Sequence, residues 1–311
     1  MRVLMKEHGA RTHALRPRHH AGGAKLELPE GASQIDSPLE RLENHYSSRG
    51  APGPYFAMCL VVKDQGDDLR EWVDYHRSIG AEKFYIFDDN SSVPALLEVQ
   101  DLIHAGIVVY ETIESYDHPS DKVQLWVYDT CIQRYAGQHQ WMAFVDVDEY
   151  FVITDSNITA LPDLLKDYED YGGLVANWQM FGSSGHMSRP PGGTLESYVQ
   201  CFPVDHRENR HIKSIVNLDY AERADRDPHH FLFKDGKHSV NTARQMVDGP
   251  MAEDVVTDRL LLHHYVTKSL EQYLAKITRG SAMGNRKSIE FFDFVQKEAT
   301  ENCTAALHLG R

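Results

Sequence analysis

The stretch from Tyr55 to Ser92, YFAMCLVVKDQGDDLREWVDYHRSIGAEKFYIFDDNSS, carries the reading that decides the fold. It opens on a continuous apolar run that ends in charge at Lys63 and Asp64. A strand buried on both faces reads this way, because it has no solvent side on which polar residues could alternate. Leu69, Trp72, Val73, His76 and Ile79 then recur at helical spacing, and Gly80 follows as at a helix C-terminus. FYIFDDNSS is a second strand ending in acids. Strand, helix, strand is the unit from which parallel sheets are wound.

The pattern continues toward the C-terminus. VPALLEVQDLIHAG reads as a second helix ending in Gly106, IVVYETI as a third strand, SDKVQLWVYDTCIQRYAG as a third helix and WMAFVDVDEYFVI as a fourth strand. The alternation predicts an α/β domain with a mostly parallel central sheet flanked by helices. Ligands of such sheets sit outside the carboxyl ends of the strands. Asp88 and Asp89 fall at that edge after the second strand, and Asp146 and Asp148 reach it within the fourth. One residue separates Asp146 from Asp148, so on an extended segment both carboxylates point to one side. Two hard oxygen ligands so placed suit Mn²⁺ or Mg²⁺ bridging a diphosphate. Two rival motifs fit poorly. An EF-hand loop starting at Asp146 needs glycine where Phe151 stands. A phosphatase of the haloacid-dehalogenase kind would carry Thr or Val at Tyr150, early in its domain.

Outside this core the patterning changes. Residues 1–53 show no steady period and read as a flexible tail with one short helix near Ser37 to Tyr46. A single domain is expected over 54–311: a nucleotide-binding half (54–155), an irregular acceptor-side half (156–290) and a C-terminal tail (291–311). In the second half LPDLLKDYEDYGG reads as a helix, LVANWQMF as a strand, and 182–260 as loops and short strands. SLEQYLAKITRG is a marked helix. Ser269 and Gln272 make a capping box, Leu270, Tyr273, Leu274 and Ile277 form a stripe, and Gly280 ends it.

Composition narrows the classes. The chain has 311 residues, 41% of them hydrophobic, enough for a sizeable core. Lys plus Arg is 32 against 46 for Asp plus Glu, a net charge of −14. That balance argues against nucleic acid or an anionic membrane as a broad partner. No run of about 18 apolar residues marks a transmembrane segment. Cys59, Cys131, Cys201 and Cys303 show no CxxC spacing, which argues against a zinc cluster and a dense disulfide framework. Cys59, inside an apolar run, reads as a core thiol.

Four blocks carry a resemblance. CLVVKDQGDDLREWVDYHRSIGAEKFYIFDDNSS, FVDVDEYF, NWQMFGSSGH and HHYVTKSLEQYLAKITRG resemble, in order, the blocks of family-92 type glycosyltransferases and their family-2-like relatives. They span about Tyr55 to Arg286. The resemblance implies a GT-A fold, a nucleotide-sugar donor, a divalent metal (Mn²⁺ or Mg²⁺) and a glycan or glycoconjugate acceptor. It implies an inverting transfer from a UDP-linked sugar, with galactose the family's better-known donor. By position it implies that Lys63, Asp88 and Asp89 lie at the nucleotide, that Asp146 and Asp148 hold the metal diphosphate, that His264 is a further metal ligand, and that Lys268 and Arg279 face the phosphates. One departure stands out: the family's Lys-Asn-Glu is Lys63-Asp64-Gln65 here. That change favours the alternative reading, a catalytically silent carbohydrate- or nucleotide-binding module; the retained Asp146, Asp148 and His264 favour the enzyme.

Several residues are open to two readings. An inverting transfer needs a general base on the acceptor side; Glu196 and Asp205, near FGSSGH, are the candidates, each also readable as a solvated loop acid. His76 lies on an apolar helix face and reads as a packed histidine. His263 and His264 are adjacent, so only one can face a cleft. His230 is a candidate cleft residue in the DPHHF loop. Glu149 reads as a hydrogen-bond acceptor behind the metal site. Asn90, Asn157 and Asn302 open glycosylation sequons, that at Asn90 within the expected nucleotide site. Met1 to His20 carries Arg2, Lys6, Arg11, Arg16 and Arg18 without an apolar core, so it does not read as a secretory signal. The chain reads as cytoplasmic as it stands, and as lumenal to the Golgi if an anchor precedes it.

Overall fold

Strand β1 (Phe56–Val62) is buried along its whole length, and its two faces enter different cores. Phe56, Met58, Leu60 and Val62 pack with Leu69 and Trp72 of helix α1 (Gly66–Ser78). Ala57, Cys59 and Val61 pack with Val127, Tyr128 and Cys131 of α3 (Val123–Tyr135). The apolar run is continuous because helices cover both faces of the sheet. The structure, a computed structural model, describes residues 53–113, 122–280, 283 and 288–308. They belong to one compact unit, Pro52–Arg311. The tail expected over 1–53, with its short helix, lies outside the described residues except for Gly53.

β2 (Lys83–Asp88) and β3 (Val108–Thr112) add to β1 in parallel, with α2 (Gln100–His104) between them. The expected second helix is thus shorter, its start being a 3₁₀ turn at Ala95–Glu98. Strand β4 (Trp141–Phe144) pairs in parallel with the other side of β1. The strand order β3-β2-β1-β4 reverses direction between β1 and β4. A crevice opens at such a switch point, outside the carboxyl ends.

The chain departs from expectation just there. WMAFVDVDEYFVI is two strands. Val145 to Asp148 make a turn, in which the Glu149 amide donates to the Asp146 carbonyl at 3.0 Å. β5 (Glu149–Ile153) then leaves β4's neighbours. Helix α4 (Leu161–Leu165) leads to β6 (Gly173–Met180). After α5 (Thr194–Ser197) and β7 (Gln200–Cys201), β8 (Ile212–Asn217) inserts antiparallel between β4 and β6. All six β8 residues are buried, so the second half is less loop-like than its composition suggests, and the sheet is mixed. Among the described residues, β9 (Ala221–Ala224) and β10 (Phe231–Phe233) form a separate ribbon, while β11 (Ser239–Val240) and β12 (Met246–Val247) extend the sheet beyond β6. β13 (Leu260–His264) lies between β5, antiparallel, and β6, parallel.

Helix α6 (Leu270–Arg279) starts as expected: the Ser269 hydroxyl accepts from the Gln272 amide at 3.2 Å, and Gly280 takes φ +86° after its last residue. Of its expected apolar stripe only Tyr273 is buried, and Leu274 is exposed. Residues 291–308 are no tail. α7 (Ile289–Glu298) packs Val295 against Phe202, and β14 (Glu301–Asn302) pairs with β7. A Cys201–Cys303 disulfide ties this end down, and Cys59 is bonded to Cys131. Cys59 is therefore a bridge and not a core thiol. The partners are 72 and 102 residues apart, so no local spacing announces them. In the chain-entropy account, loops of that length make each bridge worth about 4.5 kcal/mol. Among the described residues no helix is long and apolar enough to cross a membrane. Asn90, Asn157 and Asn302 are all exposed.

Candidate active site

A cleft of about 610 Å³ opens at the switch point. Lys63 after β1, Asp89 after β2, and Asp146 and Asp148 after β4 reach it from the sheet; His264 comes from β13, Arg279 from α6. His264 gets there by strand register. It stands opposite Glu149 in the β13–β5 pair, and the next amide, that of Tyr265, donates to the Asp148 carbonyl at 2.9 Å. His264 Nε2 is 3.9 Å from Asp148 Oδ1. His263 points the other way, into the core against Phe181.

The two aspartates are held differently. The Asp148 side chain is only 6% exposed. Burial alone would raise its pKa, but Lys276, then His264 and Lys268, hold it well below the usual carboxylate range. Lys276 Nζ donates to Asp148 Oδ2 at 2.5 Å. Asp146 is 39% exposed and accepts from Gln124 Nε2 at 2.6 Å and from Lys213 Nζ at 3.1 Å. Lys213 comes up from β8, wholly buried, and bridges Asp146 to Glu149 at 3.3 Å. Burial opposes its charge; Asp146 and then Glu149 outweigh that and raise its pKa. Glu149 supports the turn by accepting from the Asp146 amide at 2.8 Å, and burial pushes its carboxyl up to about 8. The carboxylates are aligned by a turn and its lysines, not by extended backbone.

Oxygen and imidazole donors of this kind suit Mn²⁺ or Mg²⁺. The 3.9 Å between Asp148 and His264 lies within the span of roughly 3 to 4 Å that two ligands of one such ion cover. Asp148 and His264 thus fit as one edge of such a site, and Asp146 lines the same cleft. Among the described residues no three such side chains stand ready as a closed cluster, and Lys213 and Lys276 occupy the carboxylate oxygens.

The remaining expected residues divide. Lys63 lies in the cleft, its ammonium 3.1 Å from Asp89. Arg279 lines it too, donates to the Asp64 carbonyl at 3.3 Å, and makes no ion pair among the described residues. Asp88 does not face the cleft. It is 1% exposed and accepts from the Ser91 and Ala95 amides and the Tyr110 hydroxyl, so it shapes the loop that carries Asp89. Lys268 lies in a smaller neighbouring cleft of about 260 Å³, 2.8 Å from Asp68. Glu196 and Asp205 are exposed and line neither cleft; the loop between β6 and β8 carries them away from it. His229 lines the cleft instead of His230, which faces Asp225 and Asp248. The altered Lys63-Asp64-Gln65 turn is well formed: Asp64 accepts from the Ser92 amide at 2.7 Å and its hydroxyl at 2.6 Å.

The structure adds residues that the sequence reading missed. Trp178 lies in the cleft between His211, His229 and His264, with ring centroids 4.8, 5.4 and 4.3 Å away. Asp227 lines the cleft, one oxygen accepting from the His229 and His230 amides at 2.8 and 3.2 Å. Lys276 precedes Arg279 by one helical turn, a spacing that could have marked it. Lys213, a lone charge in the apolar run IKSIVN, was the other available signal.

Buried histidines outside the reacting cleft make the fold acid-sensitive. His76 donates from Nδ1 to the Trp72 carbonyl and accepts the Phe151 amide. Burial drives His76 and His263 down to about 3, against an ordinary value of about 6.5. Below 6.5 the unfolded chain binds the extra protons, so stability is full above that pH and is lost as pH falls toward 3. Between pH 7.5 and 5.5 each should cost about 1.3 kcal/mol. Between those pH values His263→Leu should lose less stability, measured by urea unfolding, than the parent does, by about 1.3 kcal/mol. An identical pH dependence in parent and variant would contradict a buried, neutral His263 ring.

The mixed α/β sheet flanked by helices, with acids and cations gathered at its switch point, has the architecture expected of a GT-A-like fold. The family model for glycosyltransferase family 92 matches residues 55–249. This chain belongs to glycosyltransferase family 92. A family 92 protein of Ricinus communis is 27% identical over 242 residues, 74% of this chain and 39% of that protein. One of Oryza sativa is 27% identical over 216 residues, 68% of this chain and 34% of that protein. The chain therefore spans well under half the length of these relatives. A galactan β-1,4-galactosyltransferase of Arabidopsis thaliana is 29% identical over 113 residues, 33% of this chain and 21% of that protein. Among solved structures, S. aureus TarS (residues 1–349) overlaps at TM-score 0.31 and 13% identity, covering 53% of this chain and 47% of that one, too slight a likeness to bear on the chemistry.

Proposed function

We propose that the chain transfers a sugar, galactose in the first instance, from a UDP-linked donor to a glycan hydroxyl, with a divalent metal and inversion at the anomeric carbon. The observation that carries this reading is the juxtaposition of Asp146, Asp148 and His264 with Lys276 and Arg279 in one cleft. Carboxylates and imidazole suit a metal, and the cations suit the phosphates it bridges. The likeness to a galactosyltransferase favours galactose as the sugar to try first.

Asp146, Asp148 and His264 would hold the ion, which when bound supplies a Lewis acid that neutralises the leaving diphosphate. Arg279, half-buried and without a carboxylate partner among the described residues, takes a phosphate oxygen. Lys63 and Asp89 lie at the nucleoside end. In place of Glu196 and Asp205, the base is Asp227. Of the carboxylates lining the cleft it is the one with no ion pair among the described residues. It takes the acceptor hydroxyl proton as that oxygen bonds to the anomeric carbon and the bond to the diphosphate breaks. Nothing in the cleft favours the silent-module alternative, since Asp64 serves its own turn.

The test is a panel of UDP-, GDP- and CMP-sugars with Mn²⁺ or with chelator. Release of UDP from UDP-galactose, stimulated by Mn²⁺, with inverted product linkage is expected. Absence of turnover from every UDP-sugar, equal rates under chelation, or a retained anomer would each defeat the corresponding part of the proposal.

A further inference from the structure

Lys276 occupies an unusual position for a helix-surface lysine. Its ammonium donates to Asp148 Oδ2 at 2.5 Å and to the Val266 carbonyl at 3.0 Å. Its side chain is 20% exposed and lines both the large cleft and the smaller one beside it. His264 faces the other oxygen of the same carboxylate. While Lys276 holds Oδ2, Asp148 cannot offer both oxygens to a divalent ion.

Lys213 differs in kind. It is wholly buried and braced between Asp146 and Glu149, so it has no room to leave. Lys276 is mounted on α6 by a flexible four-carbon stem and borders open space. Arg279, one turn on, lies beside it in both clefts, so a diphosphate bound there would pass within reach of both cations.

We propose that Lys276 is an exchanging counter-cation: it neutralises Asp148 until a divalent ion takes that carboxylate, and then moves to the diphosphate. This rests on the reading of the cleft as a metal-diphosphate site. It has a signed consequence. Metal binding alone must displace an internal cation, so Lys276 weakens it. Diphosphate binding gains a cation, so Lys276 strengthens it. The metal and nucleotide are thereby coupled through one side chain, and linkage requires the coupling to be reciprocal. A lysine that only braced the helix would change both affinities in the same direction, or neither.

The experiment uses the full chain with Lys276→Met, which keeps the stem and removes the charge, and Lys276→Arg, which keeps the charge. Mn²⁺ alone is titrated by its paramagnetic resonance signal, and UDP is titrated in saturating Mn²⁺ by calorimetry. Lys276→Met should bind Mn²⁺ at least about 3-fold more tightly and UDP about 10-fold more weakly. Lys276→Arg should stay close to the parent in both. Arg279→Met, as a comparison, should weaken UDP without tightening Mn²⁺. If the parent binds both ligands and Lys276→Met shifts the two affinities together, or leaves Mn²⁺ unchanged, the exchange is overturned while the site reading stands. Should Lys276→Met fail to fold, Lys276→Gln replaces it under the same criteria. If the parent binds neither Mn²⁺ nor UDP, the site reading itself falls, and the exchange with it.

Discussion

Asp148→Asn should cut sugar transfer by at least about 10³-fold and remove the Mn²⁺-dependent part of the thermal shift given by UDP. Asparagine keeps the volume and can still accept from Lys276, so the fold should survive. What it lacks is the charge. Asp148 is nearly inaccessible, and the cations facing it keep it ionised, so it needs no deprotonation to serve as an anionic ligand. Metal stabilisation of a leaving diphosphate is worth several kcal/mol, and about 1.4 kcal/mol is tenfold in rate. A ligand that binds only the folded state raises its melting point, so loss of the metal ligand should be visible without turnover. A variant with the full Mn²⁺-dependent shift would take Asp148 out of the metal site.

Asp227→Asn should lower kcat by roughly 10² to 10⁴ while leaving UDP binding within a few-fold of the parent. The side chain holds its loop through one oxygen, which accepts the His229 and His230 amides. Asparagine retains that acceptor, so the loop should keep its shape, and only the proton-accepting oxygen is lost. Slow hydrolysis of the donor should fall less than transfer to a glycan, since water is a poorer mimic of the acceptor placed beside the base. Near-normal transfer by this variant would send the base elsewhere. Glu196→Ala and Asp205→Ala, both exposed and outside the clefts, should leave kcat unchanged and serve as controls.

What the sequence determined by itself was local. The run Phe56–Val62, the helix over Gly66–Ser78 and the strand Lys83–Asp88 follow from periodicities confined to a few turns or pleats, with Gly80 and Gly106 at positive φ after their helices. Asp146 and Asp148 were legible because they follow an apolar run that must end at a sheet edge, whereas His264 was reached only through the resemblance of HHYVTKSLEQYLAKITRG to the family's block. The tertiary structure decided everything that depended on which strands pair. Nothing within WMAFVDVDEYFVI says that the chain turns at Val145; that follows from β5 finding β13 while β4 finds β8. The same pairing brings Lys213 under Asp146, a contact 67 residues apart, and α6 brings Lys276 to Asp148 across 128. It buries Asp88 behind its own loop, leaves Glu196 and Asp205 in solvent, and joins Cys59 to Cys131. Hydrophobic patterning specifies that a segment is buried and with what period. Which distant charge meets it there is set by sheet order and register, and these emerge only when the whole chain has minimised its exposed apolar surface and unpaired backbone together.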